Sequence, residues 1–270
     1  MMPKLGILAG RGLLPLEIAN IYRKHEGECY IAALNEEVDR NLIKNFPHEF
    51  FSLGSVGSII KYFNKHNVKN IIFLGSIDRP NLKSIKVDLT GSILIAKIFK
   101  QKFLGDDKLL RIIADFLEEK GFKVISAKEI VALEPNIEDI LTIRTPSESD
   151  KVDIELGVKV SKHLAPLDIG QAVIVEDGYI IGIEAAEGTD NLIKRCANLR
   201  KKPHGGVLVK IIKCTQDIRL DLPTIGPETI SNLASYSYNG IAIQKDNVII
   251  IERELTAAIA NKHHLFIAKI

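Results

Sequence analysis

Residues 4–15 read KLGILAGRGLLP, an apolar run that ends in the Gly10-Arg11-Gly12 loop and continues to a proline. The run is typical of a buried strand, and the apolar spacing from Pro15 to Tyr22 predicts a helix with proline in its first turn. Further apolar strands are predicted over residues 28–34, 70–75 and 121–125, with helices over 56–67 and 108–120. This alternation predicts a doubly wound, Rossmann-like parallel sheet in the N-terminal half.

Ligands of a doubly wound sheet bind beyond the carboxyl ends of its strands. Three segments are predicted at that edge: the loop after the first strand, residues 75–80 (GSIDRP) and residues 105–107 (GDD). Glycines that lead into a helix leave backbone N–H groups available for a phosphate, although a tight strand-to-helix turn explains them equally well. We take as substrate-binding candidates Gly10, Arg11, Gly12, Gly75, Ser76, Arg79, Asp106 and Asp107.

The first loop contains only half of a dinucleotide-binding fingerprint. The third glycine is missing, and Pro15 stands where it would fall, which disfavours NAD as a ligand. The acidic residues Glu36, Glu37 and Asp39 follow the second strand near the position of a ribose ligand. A dinucleotide oxidoreductase therefore stays as an alternative.

The second half of the chain predicts a mixed α/β domain with hairpins. Residues 172–184 form a predicted hairpin with an acidic-glycine turn, and residues 241–251 predict a second hairpin of the same form. A helix is predicted after each one, over 189–197 and 255–262. Proline and acidic residues mark a break over 134–150. We therefore predict an N-terminal Rossmann-like domain over 1–133, a linker over 134–150 and a C-terminal α/β catalytic domain over 151–270.

The most informative passage is QDIRLDLPTIGP, residues 216–227. As an extended strand it would place Asp217, Arg219 and Asp221 on one face. Carboxylates bind hard divalent cations and an arginine holds phosphate, while the loop after Pro223, residues 224–226, can approach a ligand. An edge strand with a solvated charged face explains the same pattern equally well.

A second acidic cluster spans residues 184–190 (EAAEGTD). Thr189 or Asp190 could simply cap the helix that follows. Alternatively, Glu184, Glu187 and Asp190 could face the first acidic passage and complete a metal–phosphate site. The spacing leaves both interpretations open.

Composition disfavours nucleic acid as a partner. Lys and Arg number 36 against 34 Asp and Glu, a net charge of +2, and tryptophan is absent. The three cysteines, Cys29, Cys196 and Cys214, form no C-x-x-C pair, which fits a reducing cytoplasm. The chain shows neither a signal peptide nor an apolar run long enough to span a bilayer, so we expect any membrane contact to be peripheral.

Taken together, KLGILAGRGLLP, GSIDRP, GDDKLLR, LDIGQAVIVEDG, EAAEGTD and RLDLPTIG resemble, in the same order and over nearly the whole chain, the LpxI family of UDP-2,3-diacylglucosamine pyrophosphatases. The resemblance implies a cytoplasmic enzyme of lipid A synthesis that uses Mg²⁺, with Mn²⁺ as a substitute. It implies hydrolysis to UMP and 2,3-diacylglucosamine 1-phosphate, with water attacking the β-phosphorus. The chain departs from the family at Arg11, where a second glycine is frequent.

The resemblance also implies a role for one aspartate, because the family's essential aspartate corresponds to Asp221. Our hypothesis assigns Asp221 to the metal or the attacking water, with Asp217, Asp190 and Glu187 as supporting metal ligands. Further substrate-binding residues are expected at Gly170, Gln171, Gly188, Thr189, Arg219, Thr224, Ile225 and Gly226. The expected partners are an acylated UDP-sugar, a second copy of the chain in a homodimer and the cytoplasmic face of the inner membrane. A nucleotide-sugar-binding protein without catalysis is the alternative, and it would tolerate loss of Asp221.

Overall fold

The computed structural model describes residues 2–34, 37–77, 85–101, 105–134, 142–213 and 216–270. The chain divides into two compact units. Unit 1 comprises Met1–Asn136 together with the short segment Asp217–Asp221, and unit 2 comprises Ile137–Gln216 and Leu222–Ile270. Within the described ranges, no helix is both long enough and apolar enough to cross a membrane.

Unit 1 contains a five-stranded sheet in the order β3-β2-β1-β4-β5, with every neighbouring pair parallel. Its strands are β1 (Leu5–Ala9), β2 (Cys29–Leu34), β3 (His48–Phe51), β4 (Asn70–Leu74) and β5 (Lys123–Val124). The central strands are buried on both faces, as their continuous apolar sequences require. The prediction of a Rossmann-like parallel sheet is confirmed.

Six helices accompany this sheet in the described part of unit 1. They are α1 (Leu14–Lys24), α2 (Arg40–Ile43), α3 (Val56–Lys65), α4 (Leu89–Phe99), α5 (Asp106–Glu119) and α6 (Ala127–Val131). Pro15 lies in the first turn of α1, where its missing N–H group costs no hydrogen bond. Helix α4 packs on α3 and α5 through Leu94 and Ile98, so it forms an outer layer.

Unit 2 contains a five-stranded mixed sheet in the order β12-β10-β8-β6-β7 and a separate two-stranded sheet of β9 and β11. The strands are β6 (Ala172–Glu176), β7 (Tyr179–Ile183), β8 (Val207–Lys210), β9 (Thr224–Ile225), β10 (Gly240–Ile243), β11 (Ile249–Ile250) and β12 (Phe266–Lys269). The helices are α7 (Glu148–Leu164), α8 (Thr189–Ala197), α9 (Pro227–Ser235) and α10 (Arg253–Lys262). This arrangement confirms a mixed α/β second half.

One of the two predicted hairpins forms and the other does not. Strands β6 and β7 are antiparallel, and Asp177 and Gly178 between them both have positive φ, as a tight hairpin turn requires. The prediction of a second hairpin over residues 241–251 is wrong. Strand β10 pairs in parallel with β8 on one side and β12 on the other, so β11 finds no free edge on it and pairs with β9.

The prediction of an extended strand over residues 217–221 is also wrong. The backbone N–H groups of Leu220 and Asp221 both donate to the carbonyl oxygen of Asp217, at 2.9 and 3.3 Å, which closes a turn. The Asp217 carboxylate accepts the backbone N–H of Arg219 at 3.0 Å, and such local bonds compete with strand formation. Asp217, Arg219 and Asp221 therefore do not share one face. Strand β8 ends at Lys210, and Cys214 lies outside the described residues.

Candidate active site

The loops after β1 and β4 meet at the carboxyl edge of the unit 1 sheet. The N–H of Arg11 donates to the Ser76 carbonyl oxygen at 2.8 Å, and the N–H of Ser76 donates to the Arg11 carbonyl oxygen at 3.1 Å. A Cβ on Gly10 would overlap the Ser76 carbonyl, and a Cβ on Gly75 would overlap the Arg11 carbonyl. Close approach of two backbones thus explains these two glycines. A Cβ on Gly12 would meet open space, so only the φ of +98° favours glycine at this position.

Acidic residues after β2 already have partners in the fold. The Arg11 guanidinium forms an ion pair with Glu37, whose side chain is 14% exposed, at an Nε–Oε2 distance of 2.6 Å. Asp39 caps α2 by accepting the N–H of Asn41 at 2.9 Å. Glu36 lies outside the described residues. These contacts disfavour the dinucleotide alternative, which needs a carboxylate here for a ribose.

The segment Asp217–Asp221 packs onto unit 1 between the start of α5 and the end of β5. Asp107 Oδ1 accepts the backbone N–H of Asp217 at 2.9 Å, and the Ser126 hydroxyl donates to the Ile218 carbonyl oxygen at 2.6 Å. Leu220 is buried in a small apolar cluster with Ala114 and Val124. Because α5 begins and β5 ends at the carboxyl edge, this packing brings the segment to the same edge as the glycine loops.

Arg219 is held by two carboxylates within unit 1. Its Nη2 lies 2.8 Å from Asp217 Oδ2, and its Nη1 lies 3.0 Å from Glu118 Oε1. Hydrogen bonds from Arg219 lower the pKa of Asp217, and the Asp217 carboxylate in turn raises the pKa of Arg219. Asp221 follows this ion-pair cluster with an exposed side chain.

Asp107 is itself shared between two partners. Its Oδ2 accepts from Arg111 Nε at 2.8 Å, while its Oδ1 holds the Asp217 N–H. Asp106 lies beside it, exposed, in the first turn of α5. Carboxylates stabilise a helix N-terminus, so these two residues favour α5 itself over the binding of an anion there.

Unit 2 gathers several predicted residues at one edge of its sheet. Ala172, at the start of β6, pairs with Lys210 at the end of β8, and β7 ends beside them. Gly170 and Gln171 precede β6, and the 184–190 loop follows β7, so both lie at this edge. A Cβ on Gly170 would overlap the Glu184 carbonyl, which explains the glycine by close packing of these two segments.

The buried carboxylate of Glu184 connects two segments at this edge of the sheet. Its Oε2 accepts the backbone N–H of Gln171 at 2.7 Å, and its Oε1 accepts the hydroxyl of Thr189 at 2.7 Å. Thr189 Oγ1 also lies 3.0 Å from Nζ of Lys210. Lys210 Nζ further donates to the Thr224 carbonyl oxygen at 2.8 Å. Predicted residues from three separate loops are therefore joined by two buried charged side chains.

Lys210 joins candidate residues at this edge, and the sequence analysis missed it. Its side chain is buried, although lysine is almost never buried without a partner. The signal was present in the sequence VLVK, because a lysine that ends an apolar strand stands where ligands of such sheets bind. Nothing in the local sequence showed that it would reach Thr224.

The other residues of unit 2 that were predicted to bind the substrate or a metal differ in their local contacts. Glu187 forms an ion pair with Arg195 at 2.6 Å, and hydrogen bonds from Arg195 lower the pKa of Glu187. Gly188 precedes α8 with a φ of +79°, so it adopts a conformation that favours glycine. Ile225 is buried in the core, and Gly226 directly precedes α9. Arg79, predicted for the unit 1 edge, lies outside the described residues.

The four carboxylates predicted to hold Mg²⁺ are divided between the units, with Asp217 and Asp221 in unit 1 and Glu187 and Asp190 in unit 2. Asp217 and Glu187 are each neutralised by an arginine, and Asp190 accepts a hydrogen bond from Asn232 at 2.9 Å. In the portion of the chain with assigned positions, no group of three or more His, Cys, Asp or Glu side chains could hold a metal ion. Asp190 and Asp221 are both exposed, whereas Asp217 and Glu187 are partly buried.

A Rossmann-like parallel sheet in one unit and a mixed sheet in the other define a two-unit α/β protein. The chain belongs to the LpxI family: residues 4–133 match the LpxI N-terminal domain and residues 138–268 match the LpxI C-terminal domain. It is 30% identical to the UDP-2,3-diacylglucosamine pyrophosphatase LpxI of Caulobacter vibrioides over 98% of this chain and 97% of that protein. The resemblance predicted from the motifs is confirmed, and so, at the level of the family, is the prediction of a hydrolase that cleaves a phosphoanhydride bond.

Proposed function

We propose that this chain hydrolyses the pyrophosphate bond of UDP-2,3-diacylglucosamine to UMP and 2,3-diacylglucosamine 1-phosphate. The observation that carries the proposal is the match along both units to a family whose Caulobacter relative is named for this activity. The sequence RLDLPTIG supports it, because it places the aspartate expected to be essential, Asp221, in an exposed position directly after a firmly packed turn.

In the proposed reaction a water oxygen forms a bond to the β-phosphorus, on the lipid side. The bond between that phosphorus and the bridging oxygen breaks, and the bridging oxygen leaves with UMP. One proton of the water must be accepted as attack proceeds. We assign this proton, or the orientation of the water, to the Asp221 carboxylate.

The neighbouring residues are proposed to position this carboxylate. Asp107 and Ser126 hold the backbone of residues 217–218, and Leu220 anchors the turn in the unit 1 core. Arg219 is already shared by Asp217 and Glu118, so we assign it to holding the turn. A misplacement of about 1 Å in a catalytic group can cost about a hundredfold in rate, which gives such positioning residues their importance.

The loops at the two sheet edges are proposed to bind the substrate. The Gly10–Gly12 loop precedes α1, whose N-terminus no side chain caps, and such an N-terminus favours a phosphate. In unit 2, the N-terminus of α8 after Gly188 also has no side-chain cap, and Lys210 places positive charge beside Thr189. These groups suit the charge of a nucleotide diphosphate.

Dependence on Mg²⁺ or Mn²⁺ stays a prediction from the family resemblance. The predicted ligands are divided between the two units, and no step above passes through a metal. We also propose a cytoplasmic location with peripheral contact to the inner membrane, and a homodimer, which sedimentation equilibrium tests directly.

The reaction is tested by phosphorus NMR of the purified chain with UDP-2,3-diacylglucosamine in detergent micelles, in ¹⁸O-labelled water. We expect the two diphosphate signals to be replaced by those of UMP and the lipid 1-phosphate, with the isotope shift on the lipid phosphate. Parallel samples with Mg²⁺, with Mn²⁺ and with excess EDTA test the cation. An unchanged spectrum from folded protein with either cation would contradict hydrolysis, and substrate binding in that sample would favour a non-catalytic nucleotide-sugar-binding protein.

A further inference from the structure

Helix α4 exposes an unusual amount of apolar surface for a helix of 11 residues. Leu89 is 89% exposed, Ile93 54% and Phe99 53%, while Leu94 and Ile98 on the opposite side are buried against α3 and α5. Single exposed apolar residues are common in globular proteins, but several on one helix form a patch. The fold of unit 1 gives no reason for this patch, because the helix is already anchored by its inner side.

This surface begins at the ligand edge of the sheet. The N–H of Asp88 donates to the Gly54 carbonyl oxygen at 3.2 Å, and Gly54 lies in the loop after β3. Other exposed apolar side chains of unit 1 lie on the loops at the same edge: Leu13 after β1, Leu53 after β3 and Ile77 after β4. The start of α4 therefore lies beside the loop after β3, at the edge where we propose that the substrate binds.

The charges within the segment 85–101 itself are mainly positive. Residues 85–101 contain Lys86, Lys97 and Lys100, and their single acidic residue is Asp88. The Asp88 carboxylate is already used for capping, because Oδ1 accepts the N–H of Gly91 at 2.7 Å and Oδ2 that of Ser58 at 3.2 Å. Lys97 is paired with Glu119, whereas Lys86 and Lys100 are exposed.

We propose that the outer face of α4, with Leu89, Ile93 and Phe99 at its centre and Lys86 and Lys100 at its ends, binds the surface of a bilayer that contains acidic phospholipids. Binding to a membrane surface grows with the apolar area that inserts and with the attraction of positive side chains to anionic lipids, and this face of α4 offers both. Each lysine near an acidic surface adds electrostatic attraction to that surface. A symmetric contact between two copies would instead bring one basic surface against another.

The proposal adds a surface to the peripheral membrane contact proposed above, and it rests on that contact and not on the hydrolytic step. A diacylated substrate resides in a bilayer, so a surface beside the ligand edge would shorten the path of the acyl chains. The binding test uses vesicles without UDP-sugar, so its outcome is separate from that of the hydrolysis assay in micelles.

The first experiment measures co-sedimentation of the full chain with vesicles of phosphatidylethanolamine and phosphatidylglycerol. We expect the wild type to bind, and the double variant Leu89→Ser/Ile93→Ser to partition at least tenfold more weakly. Val152→Ser is the matched control, because Val152 is 60% exposed on α7 of unit 2. In the charge series, Lys86→Glu/Lys100→Glu should weaken binding, whereas Lys65→Glu, an exposed lysine at the end of α3, should not.

The second experiment uses the absence of tryptophan from the chain. Phe99→Trp introduces a single reporter on α4, and its emission should shift to shorter wavelength when the same vesicles are added. Tyr179→Trp is the control, since Tyr179 is 67% exposed on β7. Circular dichroism and thermal melting establish that each variant is folded.

Any one of the following results would overturn the proposal. The folded wild type could fail to bind the vesicles, or the double variant could bind as well as the wild type. The reporter at position 99 could show no shift, or the same shift as the reporter at position 179. If light scattering shows that Leu89→Ser/Ile93→Ser changes the oligomeric state while vesicle binding is absent, the surface belongs to a contact between copies and the lipid proposal is wrong.

Discussion

Lys210 connects two loops of unit 2 with one ammonium group. Its Nζ donates to the Thr189 hydroxyl and to the Thr224 carbonyl oxygen, and both acceptors belong to segments predicted to bind substrate. A buried lysine is retained only where hydrogen bonds and opposite charge offset its desolvation. We therefore regard it as a positioning residue that fixes the loop after Pro223 relative to the start of α8.

Substitution Lys210→Met tests this role. The two acceptors lose their donor in a buried setting, so the free energy of unfolding should fall by about 1–3 kcal/mol. The specific activity of the folded fraction should fall at least tenfold, while Lys210→Arg should recover part of it. Urea unfolding and the phosphorus NMR assay measure the two effects. Lys194→Met, at an exposed position on α8, is the control, and equal behaviour of the two methionine variants would contradict the role.

The ion pair between Asp217 and Arg219 predicts how the free energy of unfolding depends on pH. Because Arg219 lowers the pKa of Asp217 in the folded chain, the pair contributes stability that is fully present above the ordinary pKa of an aspartate, about 4. That stability is lost as the pH falls through the lowered folded value. The difference in unfolding free energy between wild type and Arg219→Gln should thus be constant near neutral pH and shrink in acid.

The measurement is urea unfolding at a series of pH values. Arg40→Gln is the control, since Arg40 stacks on the Phe50 ring. The change in unfolding free energy that it causes should not follow the titration of Asp217. A carboxyl NMR titration of Asp217 should show its pKa rise toward the usual range in Arg219→Gln. A difference that grows as the pH falls would reverse the expected sign and contradict the assignment.

At the scale of elements, two glycine substitutions can separate the energetic cost of disturbing the contact between the β1 and β4 loops from the cost of a positive φ. Gly75 and Gly121 have nearly the same φ, +86° and +90°, but a Cβ on Gly75 would overlap the Arg11 carbonyl while one on Gly121 meets open space. Gly121→Ala should cost about 1–2 kcal/mol through its φ alone. Gly75→Ala should cost about 1–3 kcal/mol more because of the overlap. Thermal unfolding compares them, and equal costs would show that the loops separate easily.

The local sequence was sufficient to predict elements with a clear apolar run or a clear helical spacing of apolar residues. The long apolar strands β1, β2 and β4 and the amphipathic helices α1, α3 and α5 were predicted with small errors at their ends. The sequence analysis missed β3, which has only four residues, and α4, whose apolar residues occupy both sides and so give no helical period. A short strand or an all-round apolar helix is defined by what packs on it, which local sequence does not contain.

The errors in unit 2 have the same physical origin. Residues 241–251 have the apolar spacing of a hairpin, and only the pairing of β10 with two other strands excludes it. Residues 217–221 alternate like a strand, but the Asp217 side chain bonds to the backbone of Arg219 and the turn forms instead. Site residues were predicted where motifs carried them, whereas Lys210 depended on a contact with the distant Thr224.

At the scale of the whole molecule, the chain leaves unit 2 after Gln216, contributes five residues to unit 1 and returns to unit 2 at Leu222. The passage RLDLPTIG is thus divided between the units. Leu220 is buried with Ala114 and Val124 in unit 1, and Leu222, two residues later, is buried and counted with unit 2. Substitution of each leucine in turn therefore gives a matched pair of variants, one for each unit.

We expect Leu220→Ala to destabilise unit 1 by about 2–5 kcal/mol, the usual cost of removing a buried leucine side chain. Hydrogen exchange should accelerate at α5 and β5 in Leu220→Ala, and in unit 2 in Leu222→Ala. Mass spectrometry of proteolytic fragments measures both variants on the full chain. Faster exchange confined to unit 2 in Leu220→Ala would contradict the assignment of this segment to unit 1.

The central claim is that Asp221 performs the hydrolysis of UDP-2,3-diacylglucosamine, and one comparison tests it most directly. The rate of UMP formation is measured by phosphorus NMR for wild type, for Asp221→Asn and for Asp246→Asn, an exposed aspartate of unit 2 whose positive φ asparagine tolerates. We predict that Asp221→Asn is folded and loses more than a hundredfold in kcat, while Asp246→Asn equals the wild type. A folded Asp221→Asn within about tenfold of the wild type, a loss of only ~1.4 kcal/mol of transition-state stabilisation, would contradict the claim.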